Sequence, residues 1–406
     1  MPEPLRDRRV VALLVAEVVS MTGSQMRWLA LPWFVLVTSG SASRMSLVLA
    51  AGAAGVAVLG IPGGKVLERL GGRRTMLLSD GLRAPLVLLV PLLHWAGFLS
   101  LPVLLSLSFA LGALAAPYFA AQRVLVPALV GEDERAVSRA NTFLQGANRL
   151  TMLVGPAAGG ALIAITGALN VLLLTAATHA VAFLAVALFL RVEAAPEAER
   201  QSTLAGLRYL AREPLLRSWT AALIAGDAAF TAIFLALPVL AFFSFGGDPR
   251  IAGWLIASFG LGALVGNVLA YRAVSRTDGL LLVAAGIGFQ ALPLWLLVLP
   301  VPAVAVGAAL AASGLANGVV NPSLHSILTL RAPPPLRPQV MTAMITAAML
   351  VAPVALSVTG PALDAFGMRP VFAAAVALQS AATVLIAAAA VRARRASAAA
   401  PAVAHA

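Results

Sequence analysis

The chain has 406 residues, of which 61% are hydrophobic and only 11% charged. No water-soluble protein of this length hides so much apolar surface, so a soluble globular enzyme is excluded and a polytopic membrane protein is expected. The formal net charge of +12 would suit a nucleic-acid binder in a soluble chain. Between long apolar segments it reads instead as charge that faces anionic lipid and fixes orientation.

A membrane-crossing helix needs about 20 mostly apolar residues. Twelve segments qualify: 10–37, 45–67, 76–96, 101–125, 140–165, 171–190, 218–242, 251–271, 279–299, 304–328, 340–365 and 370–390. Residues 1–9 are polar and basic, and the apolar run after them is too long for a signal-peptide core, so it reads as a retained first helix. Of the 28 Lys and Arg, only Arg44, Arg250 and Arg369 fall in the loops of one side. Arg27, Arg83 and Arg149 lie well inside segments, and the other 22, with Lys65 and Arg123 at segment ends, belong to the opposite side. That excess places both termini in the cytoplasm.

The longest polar interruption, 191–217, divides the chain into two six-segment halves, 1–190 and 218–391. Its first part is expected to be flexible. Residues 204–216 have the pattern of an amphipathic helix on the membrane face, and 392–406 read as a disordered tail. The halves carry a weak repeat. Gly64-Lys-Val-Leu matches Gly266-Asn-Val-Leu, with Arg276 at the offset of Arg74, and Gly155-Pro156-Ala157 matches Gly360-Pro361-Ala362. Two matches at nearly one offset favour a duplicated bundle.

Between segments 2 and 3 lies a charged island, Gly64, Lys65, Glu68, Arg69, Gly71, Gly72, Arg73 and Arg74, followed by Asp80 and Arg83. Gly64, Glu68, Arg69, Gly71, Arg73 and Arg74 fill the pattern of a glycine, three residues, an acid, a base, one residue, a glycine and a basic cluster. This resembles the loop between helices 2 and 3 of the major facilitator superfamily, with Glu68 where Asp is usual. The resemblance implies an all-α membrane protein: twelve transmembrane helices in two pseudo-symmetric six-helix bundles. It also implies a gating role for Gly64, Glu68, Arg69, Gly71, Arg73, Arg74, Asp80 and Arg83. Charge-assisted bonds present in one state and absent in the other make a switch. Topology anchoring alone explains the arginines but not Glu68 and Asp80.

Gly155, Pro156, Gly159 and Gly160 in segment 5 resemble the helix-5 motif of the family's drug/proton antiporters. Proline removes a helical hydrogen bond and glycines leave a groove, so the helix can bend and a neighbour can come close. Ser20, Gly23, Ala30-Leu31-Pro32, Leu78-Ser79-Asp80, Arg83, Val126-Pro127, Ala140-Asn141 and Gly155-Pro156 are similar to the bacterial exporters that include macrolide and siderophore efflux proteins.

Ionisable groups inside lipid are costly and ask for a reason. Glu17 in segment 1 is a candidate proton carrier, two turns from the position of Ser24, where the resembled exporters often have an acid. The alternative is an acid that reaches the interface or is held by a base. Asp227 in segment 7 is a second proton candidate, with hydrogen bonding to a packed polar neighbour as its alternative. Arg27, Gln145, Asn148 and Arg149 are candidates for a polar patch in the substrate cavity. Asn317, Asn321 and His325 recur every four residues and form one polar stripe, with Asn317 and Asn321 assigned to the cavity. His94 and His179 read as packing or interface residues.

Together these features describe a secondary transporter, expected to export hydrophobic or amphiphilic small molecules in exchange for protons. Its partners are then substrate, protons and membrane lipid, with no nucleic acid, no cofactor and no metal, and the chain is expected to act as a monomer. A proton-coupled uptake symporter is the alternative. An enzyme is disfavoured, because there is no His-Glu-x-x-His, no Gly-x-Ser-x-Gly and no cysteine. No nucleotide-binding Gly-x4-Gly-Lys-Ser/Thr is present either, which leaves an ion gradient as the driving force.

Overall fold

The computed structural model of the chain describes residues 8–60, 62–130, 134–190, 203–273 and 279–399. Among them every regular element is helical: α1 (Arg8–Ser39), α2 (Ala42–Gly60), α3 (Pro62–Leu70), α4 (Gly72–Trp95), α5 (Leu101–Ala113), α6 (Ala115–Val130), α7 (Glu134–Thr166) and α8 (Ala168–Phe189). Then come α9 (Thr203–Arg212), α10 (Pro214–Ser244), α11 (Pro249–Ala273), α12 (Gly279–Gly286), α13 (Gly288–Ala291), α14 (Ala303–Arg331), α15 (Arg337–Phe366) and α16 (Met368–Ala399). Eleven helical stretches among the described residues are long and apolar enough to cross a membrane. α1, 32 residues long, brings these helical stretches to twelve among the described residues and carries Glu17, Ser20, Thr22, Ser24, Gln25 and Arg27. The chain is therefore a multi-pass membrane protein.

Three departures from the expected segments have local causes. The ninth segment is not one helix. It breaks into α12, α13 and a 3-10 stretch over Leu292–Val298. Gly286 and Gly288 weaken the helix, and Pro293 lacks the N–H that would continue it. The fourth segment is interrupted at Leu114, between Gly112 and Pro117. α16 continues to Ala399, through residues that read as tail, because alanine and arginine are strong helix formers. Residues 191–202, 274–278 with Arg276, and 400–406 lie outside the described residues.

The residues gather into two compact units. The first comprises α1 to α8 with Leu237–Ala257 and Ala352–Ala365; the second comprises α9, the first part of α10, Ser258–Val351 and α16. In the first, α1 packs on α7 and α8, α4 on α6 and α8, and α2 on α5. Its core includes Leu13, Met76, Tyr118, Leu125 and Val186. In the second, Trp219 is fully buried with Leu216, Val283, Leu324 and Ile386, and its indole N–H donates to the Ile386 carbonyl at 3.1 Å.

Lipid is as apolar as leucine, so helix association in a membrane rests on close packing of small residues. The chain uses one device twice. Gly55 faces the backbone of Phe109 and Ala113, and Gly112 faces Gly52, which draws α2 and α5 together. In the second unit Gly262 faces Ala311, Gly314 faces Phe259, and Gly318 faces Ala263 and Asn267, which draws α11 and α14 together. Gly266, the counterpart of Gly64 in the sequence repeat, faces Leu315 and Gly318 in that second crossing.

Candidate coupling and substrate sites

Helices α1, α4, α6 and α8 enclose a buried polar cluster in the first unit. Glu17 is 3% exposed, and the Tyr118 hydroxyl donates to its Oε2 at 2.9 Å. Asp80 is fully buried. Its Oδ1 accepts the Ser20 hydroxyl at 3.0 Å and faces His179 Nδ1 at 3.1 Å. Ser20 Oγ and His179 Nδ1 are themselves 3.2 Å apart. Arg83 lies between Asp80 and Tyr118: its guanidinium is 3.8 Å from Asp80 Oδ1 and 4.9 Å over the Tyr118 ring. Arg27 stands further along α1, with Nε buried and unpartnered among the described residues.

The structure thus separates the charged set that follows segment 2. Asp80 and Arg83 belong to the buried cluster with Glu17. Glu68, Arg69 and Arg74 are solvent-exposed. Arg73 takes the end of α8: Nε donates to the Leu190 carbonyl and an amino group donates to Ala187 at 3.1 Å. A cation at a helix C-terminus is favoured by the exposed carbonyls there. Gly71 adopts φ +75°, a left-handed conformation that suits glycine and turns α3 into α4. Gly64 lies on α3.

The helix-5 motif sits where two helices meet α7. A side chain at Gly155 would strike Gln25, and one at Gly159 would touch the Met26 backbone, so this face carries α1. Gly160 lies against Pro249 and Gly253, and Gly253 in turn lies against Pro156, so the other face carries the start of α11. A Cβ on Gly160 would stand 3.2 Å from the Gly253 Cα. On the same helix Asn148 is half-buried and Arg149 exposed. The Gln145 side chain lies outside the described residues.

The second unit holds a cavity of about 440 Å³. Asp227 on α10 lines it, with Asn317, Asn321 and His325 on α14. Asn321 donates to Asn317 across one turn at 3.0 Å, so the stripe expected from the four-residue spacing faces this space. Phe230, Met341, Met344 and Ile345 supply apolar wall. Gln290, Gln379 and Thr220 also line it. Gln379 Oε1 and Thr220 Oγ1 are buried and unpartnered among the described residues. Buried polar atoms normally find a partner, so these two acceptors mark where a ligand donor would fit.

Sequence reasoning missed Tyr118 and His179 in the first cluster and Gln290, Gln379 and Thr220 in the cavity. A signal existed for His179, an ionisable ring in the middle of an apolar helix. The glutamines offered only their polarity. No group of three His, Cys, Asp or Glu able to hold a metal occurs among the described residues.

The model of the Major Facilitator Superfamily matches residues 13–356. The chain is 29% identical over 384 residues to the multidrug efflux pump Tap of Mycolicibacterium fortuitum, covering 90% of this chain and 91% of that one. It is 28% identical over 383 residues to Tap of Mycobacterium tuberculosis, covering 89% and 88%. Among solved structures, a mutant of the nucleoside transporter NupG superposes with a TM-score of 0.77 at 11% identity, over 94% of this chain and 99% of that one. A bacterial homologue of the iron transporter ferroportin, in its inward-facing state, gives 0.73 at 14% identity, over 95% and 98%. The family match, the long apolar helical stretches among the described residues and the fold shared with transporters agree, and the chain belongs to the Major Facilitator Superfamily of membrane transporters.

Proposed function

We propose that the chain exports hydrophobic or amphiphilic small molecules and is driven by protons moving the other way. Its likeness to multidrug efflux pumps over nine-tenths of its length supports the direction and the substrate class. The observation that carries proton coupling is Glu17, an acid at membrane depth, buried and held by Tyr118. A charge in the bilayer is costly unless function needs it, and a single carboxylate can be loaded and unloaded with one proton.

In this reading both termini are cytoplasmic, as the arginine distribution argues, and the chain sits in the bacterial inner membrane as a monomer. The halves 1–190 and 218–391, joined by 191–217, alternate access by rocking. The cavity beside Asp227, Asn317 and Asn321 receives the substrate, with Met341 and Met344 as adaptable wall. Asp227 then binds substrate or carries a second proton. The island Gly64, Glu68, Arg69, Gly71, Arg73 and Arg74 forms the switch region at the inner face. Arg27, Asn148, Arg149 and Gln145 complete the polar surface open to substrate.

Inside-out vesicles with an entrapped pH dye provide the test. A proton gradient is imposed, and lipophilic cations, macrolides and siderophore-like compounds are added in turn. Compound-dependent proton movement supports the exporter. Uptake of a small metabolite in intact cells, with no movement for any of these compounds, favours the symporter.

A further inference from the structure

We propose that the cavity of the second unit selects a protonated amine on an apolar body, with Asp227 as its counter-ion and the Gln379 carbonyl as the acceptor that tells an N–H from a methylated nitrogen. This rests on the exporter reading and names the substrate class for the cavity already described. Charge comes first. Among the described residues that line the cavity, Asp227 is the one acid, His325 is the other ionisable group, and there is no Arg or Lys. Asp227 is exposed and forms no ion pair among the described residues. A charge at membrane depth is costly until an opposite charge meets it. A cationic ligand supplies that charge, whereas an anionic one is repelled.

Hydrogen bonding narrows the choice. Asn321 already donates to Asn317 at 3.0 Å, so the open acceptors are Gln379 Oε1 on α16 and Thr220 Oγ1 on α10, both buried and unpartnered among the described residues. Gln379 is 3% exposed. Its Oε1 is turned toward α10, where a Cβ at Gly226 would stand 3.1 Å from it. Gly226 directly precedes Asp227, so the open acceptor and the carboxylate lie at one level of the helix. An ammonium N–H can use that acceptor and a trimethylated nitrogen cannot. The bond is charge-assisted, which makes it one of the strong ones. The apolar body has a place as well. Phe230 follows Asp227 by three residues, on the same face of α10, and lines the cavity with Met341 and Met344. Its ring centroid lies 5.3 Å from that of Phe259 and 6.2 Å from that of Phe234. An aromatic ring near the carboxylate attracts a cation further, and the methionines adapt to bodies of different shape.

The test is a binding titration on the purified full chain with probes that share one body: phenylbutylammonium, its N-trimethyl derivative, phenylbutanol and phenylbutanoate. Phenylbutylammonium is expected to bind tightest, the trimethylated cation about tenfold weaker, and the alcohol and the anion weaker still. Gln379→Leu is expected to bring phenylbutylammonium down to the level of the trimethylated cation, whose own affinity changes by less than twofold. Asp227→Asn is expected to weaken both cations at least tenfold and to keep their ratio. The proposal is overturned by equal binding of the two cations in the wild type, by a ratio that survives Gln379→Leu, or by cations that bind Asp227→Asn undiminished. An anion that binds as well as the cations, or no binding of either cation at millimolar concentration, overturns it too. If Asp227→Asn does not fold, the ratio in Gln379→Leu and the rank of the anion decide. Binding is read without transport. The expected ranking in a chain that exports no compound therefore sinks the exporter reading and keeps the amine site, and export of macrolides with no ranking among the probes does the reverse.

Discussion

The carboxylate of Asp364, near the end of α15, accepts the hydroxyl of Ser41 at 2.8 Å, just ahead of α2. Its oxygens also accept the backbone N–H groups of Ala42 and Ser43, each at 2.9 Å. Asp364 is therefore an N-cap supplied from more than 300 residues away. It satisfies two of the orphan donors that every helix start exposes. Loss of a capping side chain costs about 0.5–2 kcal/mol. Asp364→Ala is expected to lower the melting temperature by a few degrees and to loosen the first turn of α2. The chain has no cysteine, so Ala42→Cys introduces a single thiol at a buried position. Its labelling rate should rise about fivefold when Asp364→Ala is added, since roughly 1 kcal/mol is a factor of about 5. An unchanged rate would show that the cap does not hold this end.

Gly160 and Gly253 allow α7 and α11 to touch through their backbones. Gly160→Leu would force the two apart or drive its side chain into Pro249. Overpacking of this kind costs about 1–3 kcal/mol. The expected result is a protein that is less stable and transports at a small fraction of the wild-type rate. Thermal melts and vesicle transport, measured on the same preparations, check it. Full transport by Gly160→Leu would remove this crossing from the mechanism.

Glu17→Gln retains an acceptor for the Tyr118 hydroxyl and abolishes ionisation at that position. Transport driven by a proton gradient should fall at least tenfold, whereas exchange of labelled for unlabelled substrate without a gradient should persist. Tyr118→Phe should give an intermediate loss, because Glu17 remains ionisable but loses its donor. Equal loss of exchange and driven transport in Glu17→Gln would assign the residue to folding or to substrate contact.

In the second unit the cavity makes a separate prediction. Met344→Trp fills space and should weaken binding of the exported compounds about tenfold, with little effect on the melting temperature. Gln379→Leu removes an acceptor that has no partner among the described residues. It should therefore leave stability unchanged or raised, because no protein hydrogen bond is lost. A fall in compound affinity in Gln379→Leu would show that its carbonyl meets a ligand donor. Binding titrations on the purified chain measure both effects.

The helices were legible because a bilayer imposes their length and their apolar composition together. Glu17 stood out for the same reason, as a charge where charges are costly, while Asp80 and Arg83 stood out as the end of the charged island after segment 2. Their association was not legible. Tyr118 reaches Glu17 across 101 residues, and His179 reaches Asp80 across 99. Such pairings depend on the rotation of each helix, which packing fixes and composition does not encode. Asn317 and Asn321 share one face because a four-residue spacing settles that within a helix. The break at Gly286–Pro293 was missed because hydropathy continues unbroken through it. Asp364 was passed over because, at a segment end, an acid looks like an ordinary interfacial residue.

The same broken segment gives the chain an adjustable length. Gly279–Val298 has 20 residues, which as an unbroken α-helix would measure about 30 Å. A 3-10 turn rises about 2.0 Å per residue against 1.5 Å, so the seven residues of Leu292–Val298 add about 3.5 Å. Winding them into α-helix returns that length without moving either neighbour. The difference is comparable to that in hydrocarbon thickness between one cell membrane and another. This crossing can therefore match a thinner or thicker bilayer by changing its winding as well as by tilting.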